Sequence, residues 1–182
     1  MEETFIGHYS IPHVVCDNMR FIWHSLKDRQ TDGLVGEGKV KKNVKDSTDI
    51  NFQANEFCGF DPYIPLIINF AQQYVDQYIG DITVGKYGIE EFNIQHYNPG
   101  GGFKKWHFER TSSYNARRFL TFMTYLTDTP NGGTEFKYQN KTFECVKGDT
   151  LIWPSDFTHI HVITMSNTNS LFLYAISEWH VC

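Results

Sequence analysis

Residues 118–127 read RFLTFMTYLT, a run of aromatic and β-branched side chains. Such runs are typical of β-strands, because bulky side chains pack well on a pleated surface. Turn signals such as Asn98-Pro99-Gly100-Gly101-Gly102 separate similar runs on either side. Eight short strands punctuated in this way predict a mainly β fold with flanking helices, a cupin-like jelly roll or double-stranded β-helix. The predicted strands are 92–97, 104–109, 118–127, 134–138, 141–146, 149–153, 157–164 and 171–179.

The N-terminal half has a different pattern, with helical and irregular segments. Asp17 is a candidate cap for a helix that ends at Ser25 or Leu26. A second helix is predicted over 61–79, with Pro62 in its first turn. Its apolar stripe, which we expect to pack on the outer face of a sheet, is Ile64, Ile67, Ile68, Ala71, Val75 and Tyr78.

The polar stretch 30–49 is predicted to be a surface loop that carries Lys39, Lys41, Lys42 and Lys45. At 182 residues the chain has the length of about one domain. We therefore expect a single domain over 1–182, with a helical and irregular support region in 1–90 and a jelly-roll catalytic core in 91–182.

Composition narrows the classes of function. The chain has 16 Lys and Arg against 21 Asp and Glu, so its net charge is 16 − 21 = −5 and nucleic-acid binding is not expected. No apolar run approaches the roughly 20 residues that span a bilayer, so no membrane association is expected. The four scattered cysteines form no CxxC motif and are predicted to be reduced thiols of a cytoplasmic protein.

Two short segments carry the residues suited to metal chemistry. In Trp106-His107-Phe108-Glu109, a strand would point His107 and Glu109 to the same face. Thr158-His159-Ile160-His161 lies on a later predicted strand. Two histidines and one carboxylate inside a barrel form the facial site of non-haem Fe(II) oxygenases. The spacing alone leaves a purely structural role open.

From about residue 92 to 179 the chain resembles the 2-oxoglutarate- and Fe(II)-dependent oxygenases, in particular the prolyl 4-hydroxylase-like branch of small bacterial and viral proteins. A fainter similarity covers 44–49, VKDSTD. The segments that carry the resemblance are 96–102 (HYNPGGG), 106–109 (WHFE), 118–128 (RFLTFMTYLTD), 132–136 (GGTEF), 147–154 (KGDTLIWP), 159–161 (HIH) and Trp179.

The resemblance implies Fe(II), 2-oxoglutarate and O2 as cofactors. It implies that His107, Glu109 and one of His159 and His161 hold the iron, and relatives favour His161, the second histidine of the pair. It also implies that Tyr97 and Tyr125 bind 2-oxoglutarate. Tyr125 shares a predicted inward strand face with Met123 and Thr121, and Thr121 is a further candidate for cofactor binding.

Two residues depart from the family pattern. The acid is Glu109, where relatives usually have aspartate. Relatives also place a Lys or Arg on the last strand to pair with 2-oxoglutarate, but alignment on Trp179 puts Leu173 there, and Lys147 is the last basic residue of the chain. We therefore expect 2-oxoglutarate to lie between Tyr97 and Tyr125, with a cation supplied by Arg117, Arg118 or Lys137.

The predicted function is a dioxygenase that hydroxylates a protein side chain of the prolyl type or a small molecule. The basic residues Lys104, Lys105, Arg110, Arg117 and Arg118 predict a positive barrel mouth that attracts an acidic substrate, or else solvated charges that protect strand edges.

The alternative function is a metal-binding jelly-roll protein without oxygenase turnover, acting as a binding or structural module. The missing last-strand cation favours that alternative, and the retained metal and tyrosine positions oppose it.

Overall fold

A computed structural model describes residues 3–36, 38–53, 56, 60–80, 87–89, 91–164 and 171–181, with the backbone alone for 87 and 171–181. The helices are α1 (His13–Ser25) and α2 (Tyr63–Tyr78). The strands are β1 (Gly7–Ser10), β2 (Thr31–Asp32), β3 (Leu34–Val35), β4 (Lys39–Val40), β5 (Lys45–Asp46), β6 (Thr48–Gln53), β7 (Tyr87–Ile89), β8 (Glu91–Tyr97), β9 (Gly102–Phe103), β10 (Arg118–Tyr125), β11 (Thr129–Phe136), β12 (Lys141–Cys145), β13 (Asp149–Pro154), β14 (His161–Thr164) and β15 (Leu171–Val181).

Two antiparallel sheets build the β architecture. The larger has the order β1-β13-β10-β15-β8-β6-β2, with β7 paired to β15, and the smaller has the order β12-β11-β14. Side chains from both sheets meet in one buried cluster, which includes Tyr97, Tyr125, Phe136, Trp153 and Ile163. This arrangement confirms the predicted double-stranded β-helix.

Both helices cover the outer face of the larger sheet. Met19 and Trp23 of α1 and Ile67 of α2 pack in one cluster with the sheet residues Phe92 and Phe122. The predicted helix positions are confirmed, although α1 begins at His13 rather than near Asp17. The predicted stripe of α2 was wrong at one position, since Ile68 is 49% exposed.

Strand β10 confirms the predicted alternation. Met123 and Tyr125 belong to the cluster between the sheets, whereas Leu120 and Phe122 belong to the cluster under the helices. Thr121 is also fully buried. The two faces of this strand therefore pack in two separate cores, which explains why its sequence is apolar at nearly every position.

Three predicted segments need correction. Residues 104–109 form no regular strand, and His107 makes a single isolated bridge to His161. Of 157–164, Phe157–His159 is a 3₁₀ turn and the strand begins only at His161. The stretch 30–49 is not simply a surface loop, because it contains short strands and a buried Lys45.

No helix within the described residues is long and apolar enough to cross a bilayer. Cys16 and Cys145 are free, buried thiols, as predicted. Cys58 and Cys182 lie outside the described residues, as do the side chains of Leu173 and Trp179.

Candidate metal centre and adjoining cavity

His107, Glu109 and His161 converge on one point. Each offers one ligand atom, and these three atoms lie within 4.8 Å of one another. Oε1 of Glu109 is 3.6 Å from Nε2 of His107 and 3.6 Å from Nε2 of His161. All three side chains are largely withdrawn from solvent, with 13%, 10% and 2% exposed for His107, Glu109 and His161.

Main-chain hydrogen bonds position His107, Glu109 and His161, since His107 and Glu109 do not lie on a regular strand. His107 N donates to His161 O at 3.0 Å, and His161 N donates to His107 O at 2.9 Å. The backbone N–H of Glu109 and that of Arg110 both donate to Ser155 O, at 3.2 and 2.9 Å. Segment 107–110 is therefore tied to the end of β13 and the start of β14.

The hydrogen bonds of the two imidazoles define their tautomers. Nδ1 of His107 lies 2.8 Å from Lys105 O, and Nδ1 of His161 lies 3.0 Å from His159 O. Because a carbonyl oxygen can only accept, each Nδ1 carries the hydrogen and each Nε2 keeps its lone pair. The lone pairs are therefore on the two Nε2 atoms, which face Glu109. Metal-binding histidines commonly have this arrangement, in which the other ring nitrogen donates a hydrogen bond to a carbonyl or carboxylate.

The electrostatics of the site fit a cation. Burial is the main cause that lowers the pKa of His107 to about 4 and that of His161 to about 3. Both rings are therefore neutral near pH 7. His107 Nε2 and Glu109 Oε1 are buried without a hydrogen-bond partner. Buried polar atoms are normally paired, and two neutral imidazoles with one carboxylate are a donor set that suits Fe(II).

His159 lies outside the ligand group. Its Nε2 donates to Thr4 O at 3.0 Å, and its Nδ1 accepts from Thr158 Oγ1 at 3.0 Å. Both ring nitrogens are thus engaged elsewhere, while its carbonyl receives Nδ1–H of His161. The geometry brings His161, rather than His159, to the candidate metal centre.

The protein hydroxyl groups that are predicted to bind 2-oxoglutarate lie inside the barrel. Tyr97 donates to Gln95 Oε1 at 2.5 Å, and Tyr125 donates to Thr134 Oγ1 at 2.7 Å. Thr121 Oγ1 lies 2.9 Å from Ser155 Oγ. All three side chains are buried, and their cosubstrate roles stay predictions.

A cavity of about 1010 Å³ adjoins the candidate metal centre. Inward-facing polar side chains of β6 and β8 form one wall, and their register pairs Asp49 with Gln95 and Asn51 with Asn93. The β3–β4 hairpin and segment 108–115 form the rim. His107 and Glu109 thus look onto a space much larger than a metal ion.

Residues 92–180 match the family model described as the 2OG-Fe(II) oxygenase superfamily. By this match, that part of the chain is a 2OG-Fe(II) oxygenase domain. Its cofactors are Fe(II), 2-oxoglutarate and O2. Among curated proteins no sequence matches the oxygenase.

Solved structures with the same fold include three prolyl hydroxylases. The viral collagen prolyl hydroxylase of Paramecium Bursaria Chlorella virus-1 has 14% identity and a TM-score of 0.69, with 97% of each chain covered. A Pseudomonas putida prolyl-4-hydroxylase has 12% identity and a TM-score of 0.72, covering 97% of the oxygenase and 92% of that chain. A Trichoplax adhaerens prolyl hydroxylase, solved with a hypoxia inducible factor peptide fragment, has 12% identity and a TM-score of 0.73, with 98% and 84% covered.

The predicted sources of a cation differ in their access to the cavity of the oxygenase. Arg118 lies on its wall, with Nη1 3.6 Å from Glu109 Oε2. Arg117 and Lys137 are exposed and lie off the wall. Sequence reasoning missed Lys45, which is 5% exposed and also lies on the wall. The similarity in 44–49 was the signal that could have identified it.

Proposed function

We propose that this oxygenase hydroxylates a side chain of a peptide, with proline as the first residue to test. The observation that carries the proposal is the convergence of His107, Glu109 and His161 beside a cavity of about 1010 Å³. His107 Nε2, His161 Nε2 and the Glu109 carboxylate would hold the iron. When bound, Fe(II) with 2-oxoglutarate supplies the oxidation of an unactivated C–H bond by O2.

The chain's own residues would keep this centre ordered and shielded. The ring of Phe103 stacks on His107 with a centroid distance of 3.5 Å, which excludes water from one face of that ligand. Arg110 forms an ion pair with Asp156 next to the Ser155 carbonyl that holds Glu109. Arg118 lies beside the second carboxylate oxygen of Glu109, so Oε1 is left to face the histidines.

The shape and lining of the cavity support a peptide as substrate. Asn51, Asn93 and Asn115 supply carboxamides along the wall, and a carboxamide can both donate to and accept from a peptide backbone. Leu34 and Tyr114 at the rim are 49% and 94% exposed, which leaves apolar surface beside the opening. The Trichoplax structure contains a peptide, and this protein has the same fold.

An acidic substrate stays a prediction. Of the five basic residues near the barrel mouth, Arg118 lies on the cavity wall. The wall also carries Lys45 and the acids Asp32, Asp49, Glu91 and Glu109, so its acidic residues outnumber its basic ones. A small-molecule substrate is the remaining alternative. The cavity wall therefore gives a reason to test neutral peptides before acidic ones.

The test is turnover of the iron-loaded protein with 2-oxoglutarate, O2 and a library of proline-containing peptides. The expected results are succinate and a peptide heavier by one oxygen atom, and both should be lost in His107→Ala. Succinate without a modified peptide would mean that the substrate is of another class. No succinate with any library would favour the metal-binding module without turnover.

A further inference from the structure

We propose that Lys45 binds the far carboxylate of 2-oxoglutarate, in place of the basic residue that relatives carry on the last strand. This inference rests on the proposed function. No Lys or Arg follows Lys147 in the sequence, so the last strand supplies no cation. A carboxylate buried without a cationic partner is strongly disfavoured, so a cation must come from elsewhere.

Lys45 is a buried cation on the cavity wall. It is 5% exposed, and its Nζ lies 2.6 Å from Asp49 Oδ2. Both residues line the same cavity as His107 and Glu109. An ammonium group has three N–H donors. The bond to Asp49 takes one of them and fixes the direction of the side chain.

Backbone pairing places this cation next to the metal centre. Lys45 lies opposite Phe103 in the β5–β9 pair, and the Phe103 ring stacks on His107. Asp49 lies opposite Gln95 in the β6–β8 register, and Gln95 Oε1 accepts the hydrogen bond of Tyr97. The Lys45–Asp49 pair therefore lies near both Tyr97 and the candidate metal centre.

The pair is poorly explained as a purely structural feature. Desolvation of two charges generally offsets their attraction, so a buried ion pair adds little to stability. The Lys45 ammonium group keeps donors that Asp49 does not use, and an anionic group of a ligand in the cavity would accept from them.

Arg118 is the competing cation. Its Nη1 lies 3.6 Å from Glu109 Oε2 and donates to the Glu109 carbonyl at 3.3 Å. Both contacts direct it to Glu109, a candidate iron ligand. Lys45 instead bonds to Asp49, which lies opposite Gln95, and Gln95 accepts the hydrogen bond of Tyr97, the tyrosine implied to bind 2-oxoglutarate.

The test compares two 2-oxo acids under anaerobic conditions. 2-Oxoglutarate and 2-oxopentanoate share the chelating head group, and only the former has a far carboxylate. Each is titrated into the Fe(II) protein, and the metal-to-ligand charge-transfer band gives its Kd. We expect Lys45→Met to raise the Kd of 2-oxoglutarate about 10- to 100-fold, the effect of one lost charge-assisted hydrogen bond. The Kd of 2-oxopentanoate should change by less than about threefold.

Lys42→Met is the matched control, because Lys42 is exposed and paired with Asp32 at 3.1 Å. It should change neither Kd. The inference is overturned if Lys45→Met leaves the Kd of 2-oxoglutarate unchanged, or weakens both acids equally. It is also overturned if Arg118→Met, and not Lys45→Met, abolishes the preference for 2-oxoglutarate. A wild-type protein that binds Co(II) but shows no charge-transfer band with either acid would overturn the proposed function and this inference together.

Discussion

The backbones of His107 and His161 exchange two hydrogen bonds, of 3.0 and 2.9 Å, in a single isolated antiparallel bridge. Two candidate ligands are thereby fixed to each other through the main chain, although they come from distant parts of the sequence. Glu109 is attached to the same point, since its N–H donates to Ser155 O. The candidate metal centre is therefore preorganised before any metal binds.

Replacement of His107 by alanine should abolish metal binding. The variant loses one of three ligands, and we expect a loss in Fe(II) or Co(II) affinity of more than about 100-fold. Co(II) absorption under anaerobic conditions measures it. His159→Ala is the control, since both of its ring nitrogens are bound to Thr4 and Thr158. If instead His159→Ala loses the metal and His107→Ala keeps it, the ligand assignment is wrong.

Glu109→Asp should weaken metal binding even though it restores the usual acid of the family. Oε1 of Glu109 lies 3.6 Å from both histidine Nε2 atoms. Removal of one methylene withdraws the carboxylate by about 1.5 Å, while the backbone stays bound to Ser155. We expect about tenfold lower affinity, measured by metal titration. Glu109→Gln, which keeps the reach and loses the charge, should be worse. An Asp variant that binds as tightly as the wild type would show that the backbone adjusts.

Tyr125→Phe should reduce both the stability of the fold and the affinity for the cosubstrate. The hydroxyl donates to Thr134 Oγ1 at 2.7 Å inside the barrel, and its loss should cost about 1–2 kcal/mol of unfolding free energy. Urea unfolding measures this cost. The Kd of 2-oxoglutarate should rise about tenfold or more, because the family resemblance implies that this hydroxyl binds the cosubstrate. A change of less than about threefold would contradict that role.

Gly33→Ala should disturb the Lys45–Asp49 pair directly. A Cβ atom at Gly33 would overlap Ser47 Oγ, and it would lie 3.1 Å from Lys45 Cε and 3.2 Å from Asp49 Oδ2. We expect a loss of about 1–3 kcal/mol in urea unfolding. Gly36→Ala is the matched control, because a Cβ there meets nothing within 4 Å. Equal effects of the two substitutions would contradict this packing.

The buried thiols should resist alkylation in the folded protein. Burial is the main cause that raises the pKa of Cys16 to about 11 and that of Cys145 to about 12. Since the thiolate is the reactive form, labelling of both should be slow at about pH 8. It should rise as the pH approaches these pKa values, or when urea unfolds the chain. Peptide mass spectrometry after iodoacetamide treatment resolves each site. Rapid labelling of either in the native state would contradict its burial.

The strands that the sequence predicts well are those with a clear apolar pattern, on one face as in β12 or on both faces as in β10 and β13. The runs 118–127, 141–146 and 149–153 coincide with β10, β12 and β13 to within about two residues. Helix α2 was found from its apolar stripe for the same reason. Ile68 shows the limit, because periodicity cannot tell which edge of a stripe meets solvent.

The His-x-Glu segment was predicted to be a strand and is not one, yet its two side chains do face the same point. The prediction that these side chains face one point was confirmed, but the reason given for it, the alternation of side chains along a strand, was wrong. Bonds from His107 to His161 and from Glu109 to Ser155 orient the segment, and such contacts between distant residues leave no periodic pattern in a sequence.

Lys45 shows why polar stretches are hard to interpret. Its neighbours are the polar residues of a typical exposed loop, and no apolar pattern marks it as buried. Only the pairing of β5 with β9 and the charge of Asp49 make its burial tolerable, and both are tertiary features.

The pairing of β5 with β9 also bears on the smallest fragment that can fold. The family model matches 92–180, yet Lys45, Asp49 and the helices over the outer sheet all precede that span. A fragment that began at residue 92 would leave Phe122 and Ile152, now covered by the helices, open to water. We therefore expect a fragment of residues 92–180 to aggregate when expressed alone, because it lacks the helices that cover this apolar surface.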